Sequence, residues 1–310
     1  MNRRTQRRSE KVDGLLLLNK PAGLTSNQAL QRVKRLLNAK KAGHTGSLDP
    51  AATGMLPLCF GEATKVCAFL LDADKTYRVT ARLGIATDTG DVDGTETAQS
   101  EVPELSRAQW DEILQGFMGH SMQIPPMYSA LKIDGKRLYE LARRGETVER
   151  EPRPIRIDEI SLLEVQGNRL AFRVHCSKGT YIRTLVEDIA ERAGTVAHTA
   201  RLHRETVGQF RADEMLDLAG IEAAAIDNLA ALRDSLLPPD QALQSMPDVG
   251  LDSSAAERFS LGQQVEAGLE GVEGLVRVYG GDTEFLGVGE LSAAGRLAPR
   301  RVFKMGEKNP

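Results

Sequence analysis

Twelve residues, Gly43-His44-Thr45-Gly46-Ser47-Leu48-Asp49-Pro50-Ala51-Ala52-Thr53-Gly54, hold the side chains best suited to chemistry in this chain. Three glycines and a proline shape a tight loop between two structured segments. Asp49 stands before Pro50, which biases its backbone toward an extended form and away from helix. A carboxylate held on such a loop can serve as a nucleophile or a general base. A turn or cap residue has the same appearance. His44, taken alone, reads as a structural hydrogen-bond partner. Tyr77 falls on the apolar face of an alternating segment and by itself reads as core. Arg183 reads as a surface residue near a helix start, where a cation gains nothing from the helix dipole. A carboxylate facing it would explain its place.

These residues need a scaffold, and hydrophobic periodicity supplies one. A short apolar strand spans 14–19, followed by a turn at Lys20-Pro21-Ala22-Gly23. Thr25 or Ser26 caps a helix in which Ala29, Leu30, Val33, Leu36 and Leu37 recur with helical spacing. Residues 40–53 read as loop, 55–60 as strand and 64–71 as helix. In 76–83, Tyr77, Val79, Ala81 and Leu83 alternate with Arg78, Thr80 and Arg82, the pattern of a half-buried strand. Residues 87–95 form a loop dense in Asp, Thr and Gly. Ser106 and Gln109 make a capping box for a helix reaching about Gln115. A Pro125-Pro126 loop at 123–129 precedes a short helix over 138–144, stopped by Gly145. Paired strands are expected over 155–165 and 169–176, a helix over 180–193, a strand over 202–210, a short helix over 213–218 and mainly helix over 220–237. A Pro-rich linker around 238–250 leads to short strands at 275–279, 285–291 and 300–303. Strands and helices mix without βαβ regularity, so the fold class is α+β.

Composition narrows the functional classes. The 310 residues are 41% hydrophobic and 27% charged, which excludes a disordered chain, a collagen or a coiled-coil rod. The apolar runs at 15–18 and 69–71 are far below the roughly 18 residues of a membrane span. Three cysteines without a pairing motif read as reduced thiols of a cytoplasmic protein and form no zinc site. The net charge of −3 hides a strong separation. Residues 1–44 carry 11 Lys/Arg against 2 Asp/Glu, whereas residues 213–290 carry 3 against 16. Residues 130–156 and 291–310 are basic again. Several basic segments beside one acidic block point to a polyphosphate partner, RNA or DNA.

The twelve-residue loop resembles the signature of the TruB family of tRNA pseudouridine synthases. The resemblance runs in order over residues 14–205. It takes in Leu17-Asn19-Lys20-Pro21-Gly23 with Thr25-Ser26, Gly61-Glu62-Ala63-Thr64-Lys65, Lys75-Tyr77 and Thr87-Asp88-Thr89 with Asp91. It continues through Gln123-Pro125-Pro126-Tyr128-Ser129-Ala130-Lys132, Ser177-Lys178-Gly179-Thr180-Tyr181-Ile182-Arg183 and Leu202. Ser47 and Gly90 depart from the usual pattern without removing a chemical group. The resemblance implies isomerisation of the uridine at position 55 in the T-arm of tRNA: the N1–C1′ bond breaks, the ring turns and C5 takes its place. Such a reaction needs no cofactor and no metal, which agrees with the absence of a P-loop or dinucleotide fingerprint.

By the same resemblance Asp49 is the essential carboxylate and Arg183 its partner, opposing the protonation that enclosure favours. Whether Asp49 acts at C1′, at C6 or on a 2′ proton stays open. Tyr77 stacks on the uracil and helps remove the C5 proton, while Tyr181 and Leu202 line the pocket and Asp91 lies near the substrate. Lys20 and Lys132 are structural or contact phosphate. His44 fills the gap left by the extruded base, which costs a few kcal/mol of stacking. The expected organisation is a flexible basic arm at 1–11 and a largely antiparallel catalytic domain at 12–245. An insertion at about 124–153 closes on RNA, and a small β-rich, PUA-like RNA-binding domain occupies 250–310. The partner is tRNA, with no membrane and no obligate protein partner. A non-catalytic RNA chaperone using the same cleft is the alternative; a guide-RNA-dependent relative and a DNA glycosylase fit less well.

Overall fold

The computed structural model describes residues 9–133, 135–268, 273–281 and 283–304. Most of the expected basic arm and the last residues of the basic C-terminal end therefore lie outside the described residues. In chain order the elements are β1 (Gly14–Lys20), α1 (Ser26–Leu36), β2 (Ala42–His44), β3 (Thr53–Phe60), α2 (Cys67–Asp72), β4 (Lys75–Leu83), β5 (Ile85–Thr87), β6 (Glu96–Gln99) and α3 (Arg107–Gln115). There follow β7 (Gly119–Gln123), β8 (Lys132–Ile133), β9 (Lys136–Arg137), α4 (Leu138–Ala142), β10 (Arg153–Gln166), β11 (Arg169–Cys176), α5 (Ile182–Arg192), β12 (Ala197–Val207) and β13 (Leu216–Asp217). The chain ends with α6 (Leu218–Asp227), α7 (Leu229–Asp234), β14 (Asp248–Leu251), α8 (Ser253–Ser260), β15 (Val265–Glu266), β16 (Gly274–Gly280), β17 (Glu284–Leu291) and β18 (Arg296–Val302).

A nine-stranded mixed sheet in the order β13-β1-β3-β12-β4-β11-β10-β7, with β2 added beside β3, forms the larger body. β1 is apolar at every position from Leu15 to Leu18 because both its faces are covered. Leu16 and Leu18 pack under α1 with Leu56 and Leu58, while Leu15 and Leu17 join Met55, Cys59 and Val207 on the other side. α1 starts where the sequence indicates: Thr25 accepts from the Gln28 N–H and the Gln28 side chain accepts from the Thr25 N–H. Removing such a cap costs roughly 1 kcal/mol. β3 and β12 run parallel at His203–Thr53 and Arg204–Gly54. That approach requires glycine, since Gly54 has φ +100° and a Cβ there would lie 2.2 Å from the Arg204 carbonyl oxygen.

A five-stranded sheet, β14-β16-β17-β18-β15, closes with α8 over Val249, Phe259, Val276, Val278 and Leu297. It is joined to the larger body by Phe285, Val288 and Phe303, which share a core with Met55, Cys59 and Val66. Lys65 lies 5.3 Å from the Phe303 ring centroid and donates to the Val302 carbonyl. The α+β class and the β-rich C-terminal domain are as expected.

Several local expectations change. His44 sits on β2, a strand inside the segment read as loop, because β3 offers Ala42–His44 an open edge. The turn after β3 is a 3₁₀ helix, Gly61–Val66, before α2. β12 begins five residues earlier than its apolar pattern suggests and ends before Phe210. Residues 212–214 are one 3₁₀ turn, and Leu216–Asp217 pair in parallel with β1 instead of forming a helix. The Pro-rich stretch is folded: a 3₁₀ turn at Pro239–Leu243 buries Ala242 and Leu243, and β14 and α8 follow it. Glu10 bridges to Ala39, so the chain is already engaged before residue 11.

Candidate active site

The loop carrying Asp49 is pinned on both flanks by the segment between β1 and α1. The Leu48 N–H donates to Ser26 Oγ at 2.7 Å, and that hydroxyl donates back to the Leu48 carbonyl at 3.1 Å. The Pro50 carbonyl accepts from the Gly23 N–H at 2.9 Å and from Lys20 Nζ at 3.2 Å. Lys20 is fully buried, and its ammonium also donates to the carbonyls of Pro21 and Leu24. This corrects the phosphate-contact reading of Lys20: its donors are spent on backbone, and they hold the residue after Asp49. Burial pulls its pKa down to about 8, with Asp49 opposing that fall.

Arg183 lies in the first turn of α5 at 6% exposure and faces Asp49 edge on. Its Nε is 3.0 Å from Oδ2, and its Nη2 donates to Oδ1 at 3.4 Å. The remaining donors reach the Thr89 carbonyl and the Tyr128 carbonyl, both at 2.7 Å. One guanidinium thereby joins the Asp49 loop, the loop at 87–95 and the root of the basic insertion. Such fork-to-fork pairing fixes both distance and plane. Burial raises the Asp49 pKa, Arg183 opposes the rise, and Asp91 adds to it. Asp91 is buried, with Oδ2 3.8 Å from Arg183; its Oδ1 accepts from the Thr89 hydroxyl at 2.6 Å.

Asp49, Ala51, Asp91, Arg183, Thr199 and Leu202 line one shallow pocket. Tyr77 on β4 and Leu48 beside the carboxylate share a core cluster. Burial raises the Tyr77 pKa, and the nearby Arg204 cation opposes it. Tyr181 is the N-cap residue of α5, half-buried, with its N–H donating to Gln123 Oε1 at 2.8 Å and its carbonyl accepting from Gln123 Nε2 at 3.1 Å. Burial also raises the Tyr181 pKa. His44 stands at the other end of the same loop, half-buried; desolvation and Arg204 lower its pKa and keep the ring neutral. Lys132 is exposed on the small β8–β9 hairpin and does not line the pocket.

Two residues were given no role in the sequence reading. Gln123, buried on β7, orients the start of α5 through both its amide atoms. Arg204, 1% exposed on β12, donates to the Met55 carbonyl at 2.7 Å and the Gly46 carbonyl at 3.1 Å. Its two-residue spacing from Leu202 on a strand, which puts both on one face, was the available signal. A trio away from the pocket, Asp74, Asp158 and His175, brings ligand-type atoms together, but Arg156 binds both carboxylates and Thr76 binds the imidazole.

A mixed sheet carries a carboxylate–guanidinium pair beside a strand-lined pocket, and the sequence matches place the chain among the pseudouridine synthases, a class of isomerases. Residues 34–182 match the family described as TruB family pseudouridylate synthase (N terminal domain). Residues 183–244 match the tRNA pseudouridylate synthase B C-terminal domain, and residues 247–303 match Pseudouridine synthase II TruB, C-terminal. The chain belongs to the TruB family. It is 49% identical over 305 residues to tRNA pseudouridine synthase B of Sodalis glossinidius, covering 97% of this chain and 98% of that one. It is 50% identical over 294 residues to the same enzyme of Pseudomonas putida, covering 94% and 96%. Among solved structures it resembles a chain of an H/ACA RNP bound to a substrate RNA containing 2′-deoxyuridine. There the TM-score is 0.74 and the identity 25%, covering 96% of this chain and 87% of that one. A Cbf5-Nop10-Gar1 complex gives a TM-score of 0.73 at 26% identity, covering 94% and 85%. Among the described residues no helix is long and apolar enough to cross a membrane.

Proposed function

We propose that this chain converts uridine to pseudouridine at position 55 in the T-arm of tRNA, in the cytoplasm and without a guide RNA. The observation that carries the reading is the Asp49–Arg183 fork at the pocket mouth. The uridine leaves its stack, and His44 takes the vacated place; its neutral, half-buried ring suits stacking between bases. Asp49 is the carboxylate on which the N1–C1′ cleavage depends, and Arg183 keeps it ionised and oriented. Tyr77 stacks on the uracil and takes the C5 proton after rejoining, while N1 gains one from water. Tyr181 and Leu202 wall the pocket. Asp91 shapes the site through Thr89 and Arg183, Lys20 positions the Asp49 loop, and Lys132 contacts phosphate from the basic insertion. The segment at 124–153 closes on RNA. A catalytic domain at 12–245 and a PUA-like domain at 250–310 complete the organisation.

The test uses a T-arm stem-loop RNA with tritium at C5 of uridine, without metal or nucleotide, and Asp49→Asn alongside. Release by the native chain alone supports the reading. Equal release by both removes Asp49 from the chemistry. Salt-sensitive binding without release makes the chain an RNA chaperone.

A further inference from the structure

Arg204 is a buried cation with no carboxylate paired to it among the described residues. Two carbonyls, Met55 O and Gly46 O, bind its Nε and Nη2. The backbone cannot drift, because β12 runs against β3 at Gly54 with no room for a side chain. Holding an unpaired guanidinium at 1% exposure is expensive for a fold. Tyr77 pairs with Arg204 across β4 and β12, so both side chains leave the sheet on the same face.

We infer that Arg204 is a positioning residue that acts through Tyr77: a fixed cation, held by two carbonyls on the face of the sheet that Tyr77 shares, that favours negative charge on the tyrosine oxygen. The role rests on the reading of Tyr77 given above. After rejoining, Tyr77 gives its phenolic proton through water to N1 as its oxygen takes the proton bound to C5, so the phenol ends neutral, no proton is gained or lost overall, and the ring double bond is restored. A preorganised cation at the oxygen lowers the barrier to reaching the ionised form and needs no reorganisation during the step. Three groups set that charge: Arg204 from β12, Cys176 from β11 and Asp49 from its loop. Burial holds the Cys176 thiol at about 12, so it stays neutral, and Asp49 opposes ionisation of the phenol. Arg204 is the group that counters both burial and Asp49.

The experiment is a set of single-turnover rates on the T-arm stem-loop RNA over a range of pH, with RNA Kd and melting temperature measured in parallel. The proteins are the full chain, Arg204→Met, Arg204→Lys, Tyr77→Phe and the Arg204→Met/Tyr77→Phe double variant. Arg204→Met is expected to slow the chemical step about 10²-fold, to leave Kd within about threefold and to move the alkaline rise in rate to higher pH. Arg204→Lys keeps a charge and recovers part of the rate. In the Tyr77→Phe background the same substitution costs little further rate, because its target is gone. An additive loss in the double variant, or an unmoved pH profile with a melting temperature that falls with the rate, makes Arg204 merely structural and overturns the inference. Tyr77→Phe at the native rate also overturns it, while Asp49→Asn still reports separately on the isomerase reading.

Discussion

In the body built on the nine-stranded sheet four cations, Lys20, Lys75, Arg183 and Arg204, lie at 7% exposure or less, and backbone carbonyls bind all four. In the five-stranded sheet Arg277 is part-buried and meets the Met246 carbonyl and Asp248, both at 3.0 Å, while Arg300 pairs with Glu290 at the surface, over a core made only of apolar residues. Surface pairs of that kind contribute at most about 1 kcal/mol and can be traded freely. Buried cations cannot: each sheds water and must be met by aimed dipoles. The contrast separates a region that holds several charges deep in fixed places from one whose deep core is apolar.

The largest effect that would break this contrast is at Asp49. Asp49→Asn is expected to cut single-turnover tritium release by about 10⁴-fold or more, with RNA affinity within a few-fold of native. Its stability should move the other way. The folded-state pKa of Asp49 is raised above its unfolded value. The ionised form at neutral pH therefore weakens the fold, and the native protein regains that stability as pH falls toward the unfolded value near 4. Asp49→Asn should melt no lower than the native chain at pH 7, and the difference should narrow on acidification. A large drop in melting temperature would mean that Asp49 is there for the fold.

Arg183→Gln comes next. It removes the cation that opposes protonation of Asp49, so the acid limb of the rate–pH profile should shift to higher pH. The rate at neutral pH should fall about 10²-fold. Arg183→Lys keeps a point charge but not the fork, and should recover the position of the acid limb better than the rate. An acid limb that stays put in Arg183→Gln would show that Asp49 is not the group titrating.

Much of this arrangement was legible in the sequence, for local reasons. The capping boxes at Thr25 and Ser106, the alternation over β4 and the β10–β11 pair follow from contacts within a few residues or between neighbouring strands. Asp49, Arg183 and Tyr77, which alone read as turn, surface and core, could be named through the resemblance to the TruB family, and the structure brings the first two into contact. Less legible were the features set by distant partners. β2 forms because β3 leaves it an edge. The parallel contact of β13 with β1 joins segments about 200 residues apart. Lys20 could be read as structural or as a phosphate contact, because a lysine in a Lys-Pro turn is normally solvated; the return of the Pro50 carbonyl to its ammonium favours the structural role. Arg204 had no mark in the sequence, and its burial depends on Gly54 lying against it.

The C-terminal sheet offers the converse of Asp49. Phe303, 5% exposed, packs its ring 5.0 Å from that of Phe285 and beneath Lys65. Phe303→Ala should destabilise the chain by about 3 kcal/mol, read by urea unfolding. It should leave the single-turnover rate at saturating enzyme unchanged, because no group of the pocket touches it. A lost rate with an intact fold would mean that the two sheets are coupled in the chemistry and that the contrast drawn above is false.

The smallest effect concerns the arm. Glu10 is tied to the body, since its backbone pairs with Ala39 and its carboxylate meets Arg233. A cut that tests charge alone must therefore fall before it, after Arg8. Residues 1–8 hold four arginines and no acid. Each phosphate they neutralise adds to the salt dependence of binding, so their removal should flatten the slope of log affinity against log salt by at most about 4. Affinity near physiological salt should fall by less than about tenfold, because screening weakens exposed charges there. Turnover at saturating enzyme should persist, since the residues that line the pocket run from Asp49 to Leu202. An inactive truncated chain would place the arm in the chemistry, whereas an unchanged salt slope would leave phosphate contact to the basic insertion and the body of the sheet.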